Sequence, residues 1–213
     1  MDIGIDLGTS EVKAVLIDDA QQVVGQSHAP VAISRPQPLW SEQNPQDWWT
    51  ATLAALAQLR AAHPREYAAT RAIGLSGHMH GATLLDANDD VLRPSILWND
   101  GRSHAECAEL ERREPAMRRI TGNLAMPGFT APKLMWVETH EPHLFRNVAR
   151  VLLPKDYLRL LLVGQAVSDM SDSAGTLWLD VAKREWSDAM LAATHLQRSQ
   201  MPRLVEGLSL IHI

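Results

Sequence analysis

Five residues near the N-terminus combine the side chains best suited to handling a phosphate. In Asp6-Leu7-Gly8-Thr9-Ser10, Gly8 lacks the Cβ that would hold phosphate oxygens away from backbone N–H groups. Thr9 and Ser10 offer hydroxyl donors, and Asp6 can hold a hydrated Mg²⁺. The same residue types also build ordinary hairpin turns, so taken alone the segment leaves a plain turn and a phosphate clamp both open. It is neither a P-loop nor a dinucleotide fingerprint, which place their glycines differently at a strand-to-helix turn.

Three further clusters carry chemistry-bearing side chains. His78 and His80 stand two apart in Gly77-His78-Met79-His80-Gly81, so an extended chain would point them the same way as two metal ligands. A third ligand is not evident, Asp86 serving only if the chain folds back, and hydrogen bonding to a hydroxylated ligand is the commoner use of such residues. Trp98-Asn99-Asp100-Gly101-Arg102 sets an aromatic wall, an amide, a carboxylate and a guanidinium at a strand end, where open α/β sheets place ligand groups. The plain alternative is an Asp–Arg surface pair of little worth. Lys133 is a functional cation or, by default, a snorkelling lysine early in a helix. Ser171-Asp172-Ser173-Ala174-Gly175-Thr176 reads as a polar loop, either a turn or a second phosphate-facing segment.

These residues need elements to position them. β-Branched residues on both sides of the first segment (Ile3 and Ile5, then Val12, Val15 and Ile17) predict two antiparallel strands, with Val23-Val24-Gly25 adding a third. Asn44 as N-cap, Pro45 at the first helical position and Asp47 in the first turn predict a helix over 45 to about 62, with Trp49, Leu53 and Leu56 on one face. Trp40, Trp48 and Trp49 are expected in packing rather than as a platform. Ala72-Ile73-Gly74-Leu75 reads as a buried strand, and Ala82-Thr83-Leu84-Leu85, Ser95-Ile96-Leu97-Trp98 and the run 148–153 as further strands. Helices are predicted over 105–119, 131–140 and 156–163, the last stopped by Gly164, and from 188 to about 197 behind Ser187. The whole predicts an α/β fold on a mixed sheet that opens in a β-meander.

Composition sets the outer bounds. The 213 residues suit one large domain or two small ones, and 20 Lys+Arg against 25 Asp+Glu give a net charge of -5. That balance offers no broad basic field for a nucleic acid. No apolar run approaches the ~18 residues of a membrane-spanning helix. The single Cys107 cannot form an internal disulfide, and Met1 runs straight into a strand-like segment with no room for a signal peptide, so the cytoplasm is the expected compartment. The last residues, 208–213, follow without cap or turn logic and are expected to be a tail foreign to the domain.

Taken in order, these segments strongly resemble the FGGY family of carbohydrate kinases over residues 1–207. Ile3-Gly4-Ile5-Asp6-Leu7-Gly8-Thr9-Ser10 resembles the family's first phosphate hairpin. The run from Gly128-Phe129-Thr130-Ala131-Pro132-Lys133 through Leu134-Met135-Trp136-Val137-Glu138-Thr139-His140 fits its first signature pattern. Ser76-Gly77-His78-Met79-His80-Gly81, the Trp98 segment and Leu153-Pro154-Lys155-Asp156-Tyr157-Leu158 are most similar to the xylulokinase branch, a departure being His78, where many members carry Gln.

The resemblance implies the N-terminal half of a two-domain sugar kinase with an actin-like (ribonuclease H-like) ATPase domain. It implies that Met79, His80, Trp98 and Asp100 line or border a D-xylulose site. Asp6 would serve Mg²⁺, and Gly8, Thr9 and Ser10 the ATP phosphates. ATP, Mg²⁺ and the sugar are the partners it implies, with no nucleic acid or membrane expected, and a homodimer of the complete protein is left open. Family members run to roughly twice this length, and their catalytic base aspartate is expected beyond residue 213, so that this chain alone is expected to be inactive. Other family substrates (ribulose, glycerol or gluconate), or a non-catalytic sugar-binding module, are the alternatives.

Overall fold

The computed structural model of the chain describes residues 1–207, and the expected foreign tail lies outside them. The opening meander is as expected. Strands β1 (Asp2–Leu7), β2 (Glu11–Ile17) and β3 (Val23–Pro30) pair antiparallel in sequence order. A short β4 (Glu42–Gln43) leads into helix α1 (Pro45–Ala62), whose Asn44 cap accepts the Gln46 N–H at 3.2 Å. A one-turn α2 (Pro64–Ala68) then returns the chain to β5 (Ala72–Gly77), which lies parallel to β1 and completes a sheet in the order β3-β2-β1-β5. The sheet is mixed because a hairpin can join neighbours only antiparallel, whereas a helical crossover returns the chain parallel.

Alternation along the strands decides which face is covered. Ile3, Ile5 and Leu7 of β1 and Val12, Ala14 and Leu16 of β2 point to one side, where α1 seals them with Trp48, Ala55 and Leu59. Gly4, Asp6 and Lys13 face the other side. The buried face of α1 is turned from the one predicted: Trp48, Ala51, Thr52, Ala55, Leu56 and Leu59 are inside, while Leu53 is exposed. The Ser27 hydroxyl on β3 donates to the Ala55 carbonyl at 2.7 Å on that same face. The prediction of a buried strand at 72–75 is also corrected. β5 is the sheet's edge among the described residues, so Ile73 is 45% exposed despite its apolar run.

A second core sits beside the sheet. Strands β6 (Thr83–Leu85) and β7 (Ser95–Ile96) precede α3 (His104–Arg113) and α4 (Met117–Thr121), the single predicted helix being split where Pro115 interrupts it. Helix α5 (Thr130–His140) is followed by α6 (Pro142–Phe145), β8 (Arg150–Leu152) and α7 (Pro154–Val163), which Gly164 ends in a left-handed turn. β6 pairs with β8, and β4 with β7, so neither joins the main sheet. The segment read as a loop at 171–176 is mostly helical: β9 (Val167–Asp169) runs into α8 (Met170–Ala174), whose N-cap Asp169 accepts the Asp172 N–H at 3.0 Å. Strands β10 (Leu179–Asp180) and β11 (Glu185–Trp186) and helix α9 (Asp188–Ala193), shorter than predicted, close this part, and β12 (Arg203–Val205) pairs with β9. Leu134, Val137, Trp178 and Met190 lie in its core.

Ile5 is almost wholly buried in the central strand, so Ile5→Ala removes three carbons from a site that cannot collapse. It should cost about 2–5 kcal/mol in urea unfolding. A loss under about 1 kcal/mol would contradict this packing.

Candidate functional site

The parallel register of β1 and β5 sets the site. Asp6 lies opposite Ser76 and Leu7 opposite Gly77, and the His78 N–H continues the ladder to the Leu7 carbonyl at 2.8 Å. The hairpin 6–10 and the loop 77–81 therefore leave the same end of the sheet side by side. Asp6 is exposed there on the uncovered face. A Cβ on Gly8 would meet the Glu11 carbonyl oxygen at 2.9 Å, so the hairpin closes this tightly only with glycine. The Thr9 carbonyl accepts from Gln43 Nε2 at 2.7 Å, and Gln43 Oε1 accepts from the buried Trp48 indole at 2.9 Å. Buried Gln43 thus ties the hairpin to α1, a role no sequence motif announced.

Trp98 joins the two candidate sites. Its indole N–H donates to Thr9 Oγ1 at 3.1 Å while the ring stays 42% exposed, and Met79 is 49% exposed. His80 adopts φ 64°, a left-handed conformation unusual outside glycine, and several contacts enforce it. Its Nδ1–H donates to the Gly175 carbonyl at 2.8 Å, which leaves Nε2 as the acceptor of the neutral ring. A Cβ on Gly175 would fall 2.5 Å from that ring. Phe129 packs edge-on at 4.6 Å between centroids. Burial lowers the His80 pKa; the Gly175 carbonyl opposes the shift, Lys133 adds to it and Asp172 opposes it.

The two histidines do not form a metal pair. The left-handed turn at His80 breaks the extended alternation, and the His78 ring packs edge-on against Trp48 at 5.4 Å instead. Neither His78 ring nitrogen has a hydrogen-bond partner, and burial, with a smaller push from Lys133, lowers its pKa to about 4. Among the described residues no three His, Cys, Asp or Glu side chains gather as a metal-binding group.

Asp100 is engaged elsewhere. Its carboxylate is fully buried, takes Arg102 Nε at 2.9 Å and Nη2 at 2.7 Å, and accepts the Ser41 N–H at 2.6 Å. Arg102 in turn pairs with Glu42 at 2.7 Å and stacks 3.6 Å over the Trp40 ring. The surface pair allowed by the sequence is therefore a buried network that braces the strand end behind Trp98, with no carboxylate oxygen left for a ligand. Lys133 is corrected as well: it does not snorkel but is wholly buried.

One cluster escaped sequence reasoning. Lys155 Nζ lies 2.8 Å from Asp156, 2.9 Å from Asp169 and 2.7 Å from Asp172, beside a groove of about 800 Å³ along the edge of β5. Burial works against the Lys155 charge, but the three carboxylates outweigh it and raise its pKa. Burial raises Asp156 to about 6. Asp169 is held at about 2, where Lys155 and the Ser171 and Asp172 donors overcome its burial. The sequence offers the Lys155-Asp156 pair and, separately, Asp172 in the segment 171–176, and only the fold brings them together with Asp169.

Three comparisons place this geometry among known proteins. Residues 1–213 match the FGGY family of carbohydrate kinases, N-terminal domain. The xylulose kinase of Escherichia coli K12 is 59% identical over 207 residues, which cover 97% of this chain and 42% of that protein. A crystal structure described as a xyloylose kinase from Brucella ovis superposes with a TM-score of 0.95 at 60% identity, covering 96% of this chain and 43% of that one. The xylulose kinase of Rhodospirillum rubrum gives a TM-score of 0.92 at 32% identity, covering 96% and 42%. The chain thus spans about two fifths of the length of the relatives it matches.

The His78 environment makes a direct prediction. The unfolded chain takes up the imidazole proton near pH 6.5, whereas the folded protein resists it until about pH 4. The folded state therefore loses stability as pH falls through that window, by on the order of 3 kcal/mol from this group, and is unaffected by it above pH 6.5. NMR titration of the His78 ring should give the low value; a midpoint near 6.5 would contradict the enclosure.

Proposed function

This chain belongs to the FGGY family of carbohydrate kinases, with the actin-like fold of their N-terminal domain, and we propose that the protein carrying it transfers the γ-phosphoryl group of ATP to D-xylulose. The observation that carries the proposal is the juxtaposition of a phosphate-suited hairpin and a hydroxyl-suited wall, joined by the Trp98–Thr9 hydrogen bond at 3.1 Å. The identities of 59% and 60% to xylulose kinases support the choice of sugar.

The C5 hydroxyl oxygen forms the new bond to phosphorus, the bond from phosphorus to the ADP oxygen breaks, and D-xylulose 5-phosphate results. The hydroxyl proton passes to a carboxylate base outside these 213 residues, the aspartate that the family resemblance implies, and no aspartate of this chain is assigned that role. Such chemistry depends on positioning and charge neutralisation rather than on covalent steps. In this reading the Gly8 backbone and the Thr9 and Ser10 hydroxyls hold the phosphates. Met79 and Trp98 bound the sugar with apolar surface, and His80 Nε2 accepts from a sugar hydroxyl. Asp100 acts behind the wall, by fixing the strand end that presents Trp98.

The residues also fit Mg²⁺. Asp6 is an exposed carboxylate beside the glycine-closed hairpin, and magnesium is usually held by one or two carboxylates together with substrate phosphates. When bound there, Mg²⁺ would supply charge neutralisation on the transferring group. Asp6 would hold it through an oxygen, and the hairpin donors would keep the phosphate chain aligned.

A coupled ATP-consumption assay on the complete protein with D-xylulose, L-ribulose, glycerol and gluconate tests the reading. Clear preference for D-xylulose is expected, and preference for another sugar would move the error to Met79 and His80. Asp6→Ala should lower kcat by about 100-fold or more with little change in the sugar KM. An unchanged kcat would remove Asp6 from the phosphate site. The 213-residue polypeptide by itself, about two fifths of its relatives' length, should show no turnover, and robust turnover would contradict the two-domain reading.

A further inference from the structure

We infer that Lys133, seconded by Thr130, is the positioning residue of the sugar wall: its buried ammonium pins the His80 carbonyl and thereby sets the loop that presents Met79 and His80. The inference rests on the proposed sugar site and deepens it. Lys133 stands in the first turns of α5 with no exposed surface, in a helix whose neighbouring core positions are Leu134, Met135 and Val137. A core position of this kind is ordinarily apolar, because a buried ammonium loses its hydration and must be repaid by close acceptors. The acceptors here are two backbone carbonyls from separate segments, His80 at 2.7 Å and Gly128 at 2.8 Å.

Each carbonyl belongs to a part of the wall. The His80 carbonyl also accepts the Thr130 hydroxyl at 3.1 Å, so two side chains one helical turn apart converge on one oxygen. That oxygen sits on the residue with φ 64°, the conformation that turns the loop 77–81 back on itself. Gly128 presses against Trp98, where a Cβ would lie 2.5 Å from the Trp98 carbonyl oxygen. A single ammonium therefore clamps the loop bearing Met79 and His80 to the turn that backs Trp98. Charge-assisted hydrogen bonds suit this task, being roughly twice as strong as neutral ones.

The charges facing Lys133 are few. Asp100 and Arg102 act on it from the strand-end loop, and it acts on His78 and His80. Burial is the largest influence and lowers its pKa to about 7, Asp100 raising it and Arg102 lowering it, so the ammonium and the neutral amine coexist near pH 7 and the charge-assisted form of these bonds is complete only below it. Nothing places Lys133 against ATP or the hairpin 6–10, so its loss should act on the sugar and spare the nucleotide.

The test is Lys133→Met in the complete protein, read in two ways. The sugar KM should rise about tenfold or more while the ATP KM stays within about twofold of wild type, since a loosened loop misplaces contacts to the sugar alone. Backbone amide exchange over residues 78–81 should accelerate in the same variant. An unchanged sugar KM or unchanged exchange would overturn the inference, and so would equal rises in both KM values, which would show an effect not confined to the sugar wall. If Lys133→Met fails to fold, the isosteric Thr130→Val removes the other donor to the same oxygen and is judged by the same pair of readouts. A wild-type protein that phosphorylates no sugar of the panel would refute the proposed substrate instead, and the exchange arm alone would then decide on Lys133.

Discussion

Everything at the candidate site depends on the parallel pairing of β1 with β5. A parallel ladder needs a crossover, and α1 supplies it, bringing the fifth strand back beside the first with Asp6 opposite Ser76. The bond from His78 N–H to the Leu7 carbonyl extends that ladder one residue beyond the strands. Two loops distant in sequence are thus released at one sheet end, in fixed register. A slip of one residue would exchange the sheet faces and bury Asp6 beneath α1.

Around this register the protein spends buried polar groups where an apolar core would suffice for folding. Gln43, Asp100, Arg102, Glu42 and Lys133 are all buried, and each holds a piece of backbone or a side chain at the rim of the site. Burying such groups is costly unless every donor finds a partner, so their concentration here marks a place where geometry matters more than stability. The left-handed His80 belongs to the same pattern, since its ring and carbonyl are held by Gly175, Phe129, Thr130 and Lys133.

The sequence made local chemistry legible and left cross-chain chemistry hidden. The meander, the Asn44 cap, the Gly164 stop and the Ser187 cap are written in contiguous residues, and the structure has all of them. The resemblance reached the family because its motifs, too, are contiguous. The buried face of α1 differs from the predicted one because it follows the sheet residues that Trp48, Ala55 and Leu59 meet, partners distant in sequence, and the Ser27–Ala55 bond, between residues 28 apart, is consistent with it. Ile73 read as core because its run is apolar, while its exposure follows from sheet order. The partners of Asp100 and Lys133 are legible only once the strand end, the loop and α5 are folded together, and so the sequence leaves Asp100 between a ligand group and a surface pair, and Lys133 between a functional cation and a snorkelling lysine.

The measurement that bears most directly on this account is a crystal structure of the complete protein with D-xylulose and a non-hydrolysable ATP analogue. The account predicts the sugar against Met79, His80 and Trp98, with the His80 ring still on the Gly175 carbonyl and the phosphates over Gly8, Thr9 and Ser10. A sugar bound away from the end of β1 and β5, or phosphates that avoid the hairpin, would contradict it.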